Sequence, residues 1–190
     1  MGMTCFPQPL GVDIWAKNEL AKLASPFLDG FFNTITELGS PTGLVIFTAA
    51  ITLCLLYMRK RREGFFLGAT MLVGWGLMRE IKDLVARSRP TGEHLTYAAG
   101  FSFPSGHSML SLVFYGFIVY LLIASGRVKN KTALIVAAGM LILLIGVSRV
   151  YLNVHYASDV AGGFLIGAFL LIAAIRLMNW SRGRWFHSWE

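Results

Sequence analysis

The stretch Phe103-Pro104-Ser105-Gly106-His107-Ser108-Met109-Leu110-Ser111-Leu112-Val113-Phe114-Tyr115-Gly116-Phe117-Ile118-Val119-Tyr120-Leu121-Leu122-Ile123-Ala124 decides the fold of this chain. From Ser105 to Ala124 it is close to the ~20 residues that cross a hydrocarbon core, and it carries no Asp, Glu, Lys or Arg. Its first turn has a different chemistry. Ser105 stands where an N-cap belongs, and the first-turn amides of a helix have no intrahelical partner. A membrane span that opens on such a turn puts anion-binding groups at the membrane boundary.

Four further segments read as spans, giving five with Ser105–Ala124: Pro41–Met58, Gly64–Val85, Thr132–Ser148 and Asp159–Met178. Composition agrees, with 55% hydrophobic and 14% charged residues, against about 45–50% and about 25% in soluble domains. Mean hydropathy is +0.61. The expected architecture is all-α: an integral membrane helical bundle of about five transmembrane helices (residues 41–190), preceded by an amphipathic arm (residues 1–40). In the arm Val12, Trp15, Leu20, Leu23, Phe27, Phe31, Ile35 and Leu38 recur at helical spacing between polar residues. Ser25-Pro26 suits a helix start and Gly39 a stop, so two short helices are expected in the interface or over the bundle. The start lacks the basic segment and short apolar run of a cleavable signal, so the stretch from near Gly43 is expected to act as an uncleaved anchor.

The net charge of +7 is concentrated in loops. Arg59-Lys60-Arg61-Arg62, then Arg127, Lys129 and Lys131, then Arg176, Arg182 and Arg184 fall at one end of the spans, which the positive-inside rule makes cytoplasmic. The densest run, Arg59-Lys60-Arg61-Arg62, ends an apolar stretch with no interleaved aromatics and no groove-reading helix, so nucleic acid is not expected as a partner. Trp180, Trp185 and Trp189 suit an interfacial anchor. Cys5 and Cys54 have neither metal nor redox spacing. Arg87, Arg89 and Arg149 break the charge bias on the outer side, as cations that bind substrate phosphate would.

Three polar clusters share that outer side. Lys82 and Arg89 are seven residues apart, which on a helix returns to nearly one face about 10.5 Å further along, with Pro90 ending the helix. Pro104-Ser105-Gly106-His107 offers a capped turn, a glycine that admits close approach to the backbone, and a histidine. Composition alone would place Pro-Ser-Gly-His in roughly one chain in a thousand of this length. Ser148-Arg149, His155 and Asp159 complete the set. A carboxylate four residues after His155 can hold one ring nitrogen and leave the other free to attack.

These residues, Lys82-x6-Arg89-Pro90, Pro104-Ser105-Gly106-His107 and Ser148-Arg149-x5-His155-x3-Asp159, resemble the three-part signature of the type-2 phosphatidic acid phosphatase superfamily, without gap or substitution. The resemblance runs from about Pro41 to the end. Membrane members usually have six spans, and here the arm stands in place of the first. The resemblance implies a lipid-phosphate phosphatase. Lys82, Arg89, Arg149, Ser105, the Gly106 amide and Ser148 would hold the phosphoryl group. His155 would be the nucleophile that forms a phosphohistidine, oriented by Asp159. His107 would protonate the leaving alkoxide and then activate water. Three fixed cations can offset the charge of a phosphate dianion, so neither metal nor cofactor is expected.

The expected partners are the membrane and a lipid phosphate: phosphatidylglycerophosphate, phosphatidic acid, diacylglycerol pyrophosphate or undecaprenyl pyrophosphate. Gly106 disfavours the last, since dedicated phosphatases for it often carry Asp there. The sequence assigns no oligomeric partner. Other readings of the same residues are a vanadate-dependent haloperoxidase-like oxidoreductase, a lipid phosphotransferase, and a channel or scaffold with structural polar clusters. His94 and His187 match no motif.

Overall fold

The structure is a computed structural model and describes residues 9–181; Cys5, Arg182, Arg184, Trp185, His187 and Trp189 lie outside the described residues. Among the described residues there are seven helices and no strand: α1 (Gly11–Ala21), α2 (Pro26–Glu37), α3 (Pro41–Tyr57), α4 (Arg61–Val85), α5 (Gly106–Ala124), α6 (Lys131–Tyr151) and α7 (Ala157–Trp180). Local chemistry sets several starts. Ser25, Ser40 and Asn130 accept from the amides of Leu28, Gly43 and Ala133 ahead of α2, α3 and α6.

Helix α5 is central and packs on α3, α4, α6 and α7. Its buried face, with Met109, Leu110, Val113, Phe114 and Phe117, joins Leu67, Met71 and Met78 of α4 and Met178 of α7 in the main core. The α5–α7 approach is close because two glycines permit it. A Cβ on Gly163 would lie 2.7 Å from the Ser105 carbonyl oxygen, and one on Gly167 would lie 2.8 Å from that of Met109. Large apolar side chains on the outer faces, such as Leu72, Leu165 and Phe169, are exposed, as suits helices surrounded by lipid.

The all-α membrane bundle is thus as the sequence implies, but the spans are not five equal helices. Helices α5, α6 and α7 are each long and apolar enough to cross a membrane. Helix α3, with 17 residues, qualifies only together with α2, from which it is bent by 42° at the Ser40 break. Helix α4 is long, at 25 residues, but Arg79, Glu80, Lys82 and Asp83 crowd its last turns. The N-terminal arm forms the two expected helices and packs onto the bundle, α1 against α6 and α7 and α2 against α6.

Candidate active site

The end of α4, the start of α5, the end of α6 and the start of α7 meet at one end of the bundle, opposite the basic α3–α4 and α5–α6 junctions. There they enclose a cavity of about 730 Å³ whose wall includes Lys82, Arg89, Gly106, His107, Arg149 and His155. All three clusters therefore converge.

The route to that convergence differs from the helical spacing read for Lys82 and Arg89. Helix α4 stops at Val85, because Ala86 takes the left-handed conformation (φ 49°, ψ 35°) and caps it. Arg89 lies beyond the helix and reaches the cavity from the loop, so Pro90 does not end α4. The Arg89 guanidinium is held by carbonyls: Nε donates to Gly100 O (2.9 Å), Nη2 to Ala99 O (2.7 Å) and Nη1 to Val154 O (2.7 Å). Lys82 Nζ donates to Phe101 O at 2.6 Å. The loop before α5 thus fixes both cations through its backbone.

Arg149 is buried in the last turn of α6. Its Nη1 donates to Thr36 Oγ1 of α2 at 2.7 Å, while its buried Nε has no hydrogen-bond partner. An unpaired buried guanidinium nitrogen on a cavity wall suits an anionic ligand.

His155 precedes α7, its amide bonded to Arg149 O (3.1 Å). Its Nε2 faces Arg89 Nη1 at 3.3 Å. Nδ1 stands 3.5 Å from Asp159 Oδ2, looser than a hydrogen bond, and 3.4 Å from the Ser102 hydroxyl. Ser102 donates to that same Oδ2, so it bridges ring and carboxylate. If Arg89 donates to Nε2, the proton of the neutral ring sits on Nδ1, facing Asp159. Burial is the main cause that pushes His155 down to about 3; the Asp159 contact opposes it, and Arg89, Arg149 and Lys82 add to it. The ring is neutral at pH 7, the state a nucleophile needs.

Ser105 caps α5 as expected, accepting from the Ser108 amide and hydroxyl (3.4 and 2.9 Å), and its amide donates to Asp159 O. It is fully buried and its hydroxyl is engaged within the turn, so the cavity wall here is Gly106 and His107. Ser148 is set apart from the cavity. It is buried, and its hydroxyl donates to Ile145 O one turn back (2.7 Å), which does not favour the phosphate contact expected from the sequence. Arg87 also departs from expectation. Rather than facing the cavity it lies behind Asp159, ion-paired to Asp159 Oδ1 (2.5 Å) and Asp13 Oδ2 (2.9 Å). His94, which matches no motif, is a loop residue with Nε2 bonded to Pro90 O.

Sequence reading missed Ser102, Thr36 and Asp13. Ser102 adjoins a motif, which was a usable signal; Thr36 and Asp13 lie in the arm, far from any cluster. Among the described residues no group of His, Cys, Asp and Glu is arranged to hold a metal ion.

Residues 63–183, the segment that carries all three motif clusters, match the PAP2 (type-2 phosphatidic acid phosphatase) superfamily. The chain belongs to the PAP2 superfamily. It is 34% identical over 154 residues to phosphatidylglycerophosphatase B of Bacillus subtilis (78% of this chain, 74% of that protein). It is 33% identical to decaprenylphosphoryl-5-phosphoribose phosphatase of Mycobacterium tuberculosis over 58% of each chain. The crystal structure of the transmembrane PAP2-type phosphatidylglycerolphosphate phosphatase from Bacillus subtilis superposes with a TM-score of 0.82 at 30% identity, covering 87% of this chain and 83% of that one. Aquifex aeolicus LpxE shares the fold, with a TM-score of 0.70 at 24% identity over 93% and 99% of the two chains. This PAP2 chain is an integral membrane protein, and the relatives above that are named for an activity are phosphatases.

Proposed function

We propose that this PAP2 protein removes phosphate from a membrane lipid through a phosphohistidine on His155, with the site on the outer face. One juxtaposition carries the reading: the cationic, histidine-bearing cavity adjoins an apolar groove of about 570 Å³ between α3 and α4, and Pro41 and Trp75 line both. The groove is walled by side chains such as Leu44, Val45, Leu53, Met71 and Leu72. A phosphate head and a hydrocarbon tail on one molecule would fill the two together.

Lys82, Arg89, Arg149 and the Gly106 amide hold the phosphoryl oxygens and offset the charge spread over them in the transition state. His155 Nε2 attacks phosphorus; the P–O bond to the lipid breaks, and protonated His107 gives its proton to the departing alkoxide. Asp159 stabilises the phosphoimidazolium. His107, now neutral, takes a proton from water, whose oxygen attacks phosphorus and returns free His155 and inorganic phosphate. The basic junctions Arg59–Arg62 and Arg127–Lys131 at the opposite end support the outer location.

The substrate favoured is a glycerophospholipid phosphomonoester such as phosphatidylglycerophosphate, the group named in the Bacillus relative that this chain resembles over most of its length. Phosphate release from purified protein should be measured on phosphatidylglycerophosphate, phosphatidic acid and a polyprenyl pyrophosphate, each with chelator present. Turnover is expected with chelator, fastest on phosphatidylglycerophosphate. No release from any lipid, or release abolished by chelator, would overturn the reading. A preference for the prenyl compound would overturn the substrate assignment alone.

A further inference from the structure

Behind the nucleophile runs a buried chain of charges of which the phosphatase chemistry uses Asp159 alone. Asp159 has Oδ1 on Arg87 Nη1 (2.5 Å) and Oδ2 on Ser102, the Tyr156 amide (2.9 Å) and the His155 side. Arg87 lies over the Tyr156 ring (4.3 Å to the centroid) and gives Nη1 to Ser158 Oγ (2.8 Å) and Nη2 to Asp13 Oδ2 (2.9 Å). Asp13, on α1, also accepts from the Ser158 amide and hydroxyl, both at 2.8 Å. Asp13, Arg87 and Asp159 are at most 5% exposed. Burial pushes the Asp13 carboxyl up, but bonds from Ser158, Leu10 and Arg87 outweigh it and hold the group below its usual range.

We infer that Asp13 is a positioning residue for catalysis, acting through Arg87 on Asp159 and so on His155, which makes the N-terminal arm part of the active site's scaffold. The physical reason is charge balance. With Asp13 ionised the three groups sum to −1, and Asp159 keeps a net negative charge to offer the imidazolium that forms when His155 attacks. Without that charge Arg87 and Asp159 offset one another. The chain then sums to zero, and the phosphoimidazolium loses stabilisation at low dielectric. The phosphate-binding cations line the cavity and are not members of this chain, so binding should be spared.

This rests on the phosphatase reading. The test is Asp13→Asn, nearly isosteric, in the full-length protein in detergent, well below its thermal midpoint. Lys17→Met is the control, since Lys17 Nζ ties the same helix to Thr91 O (2.8 Å) without touching the charge chain. Asp13→Asn is expected to lower kcat and the single-turnover rate of phosphohistidine formation by about tenfold to a hundredfold, with the inhibition constant of inorganic phosphate within about twofold of wild type. Lys17→Met should keep wild-type kcat. An active wild type beside an Asp13→Asn with unchanged kcat overturns this inference alone. So does a loss shared equally by Lys17→Met, or one matched by weaker phosphate binding, each of which marks a merely structural arm. A wild type that turns over no lipid phosphate overturns the phosphatase reading and this inference with it.

Discussion

Arg89 Nη1 stands 3.3 Å from His155 Nε2, so a cation held by four backbone carbonyls directly fronts the nitrogen proposed to attack. A phosphoryl group entering the cavity would bond to the guanidinium and meet the ring lone pair at the same point. Arg89→Lys keeps the charge but loses the fork that these carbonyls fix. It is expected to lower kcat/KM by about a hundredfold or more, measured by phosphate release. A loss under threefold would show that charge alone suffices there.

The two histidines should separate by step. His155→Ala is expected to cut turnover by at least about a thousandfold and to abolish radiolabel transfer from labelled substrate to protein. His107→Ala should slow lipid turnover strongly but spare formation of the phosphoenzyme from p-nitrophenyl phosphate, whose leaving group needs no acid. Phosphoenzyme should then accumulate, because the second step has lost its base. Equal losses in the rate of phosphoenzyme formation from both substrates would argue against His107 as the acid.

The position of His155 near 3, far below its ordinary 6.5, fixes a sign. The unfolded chain takes up this proton first, so the group's contribution to stability is complete above pH 6.5 and falls as pH drops toward 3. Thermal midpoints should decline from pH 7 to pH 4, and less steeply in His155→Gln. In kcat/KM the acid limb due to free His155 should lie well below 6.5, while the need for protonated His107 makes the profile fall on the alkaline side. Identical slopes in the two proteins, or a flat activity profile, would contradict this assignment.

Thr36 Oγ1 accepts from Arg149 Nη1 at 2.7 Å, and both residues are buried. Thr36→Val preserves shape and leaves that guanidinium nitrogen unsatisfied, at about 1–3 kcal/mol. The inhibition constant of inorganic phosphate is expected to change severalfold, with a lower thermal midpoint. No change in either would mean that Arg149 finds another partner.

Gly163→Ala should destabilise by about 1–3 kcal/mol, because its Cβ would stand 2.7 Å from Ser105 O and 3.3 Å from Met109 N, both backbone atoms. Activity should fall as the Ser105–His107 turn shifts. Gly139→Ala, with nothing within 4 Å, should be neutral or slightly stabilising in the same thermal melt.

Much of this was legible in the sequence because it is local. Runs without charge fixed the helices α5, α6 and α7, Ser105 announced its cap, and the spacings of three motifs named Lys82, Arg89, His107, Arg149, His155 and Asp159. Local reading failed where a distant partner overrode it. The seven-residue spacing predicted a continuous helix from Lys82 to Arg89, yet Ala86 turns left-handed at its end. Arg87 then pairs with Asp13, 74 residues away, and Asp159, 72 residues away.

The sequence by itself therefore determined the membrane bundle, the family and the residues proposed for the chemistry, since hydrophobic period, caps and motif spacing act over a few residues. Only the tertiary structure decided which polar groups face the cavity and which stand behind it. It turned Ser148 into its own helix and Arg87 away from the cavity, and it brought Ser102 onto His155 and Asp159, Thr36 onto Arg149 and Asp13 onto Arg87. Buried charges must find partners wherever the fold supplies them, and no short window of sequence contains those partners.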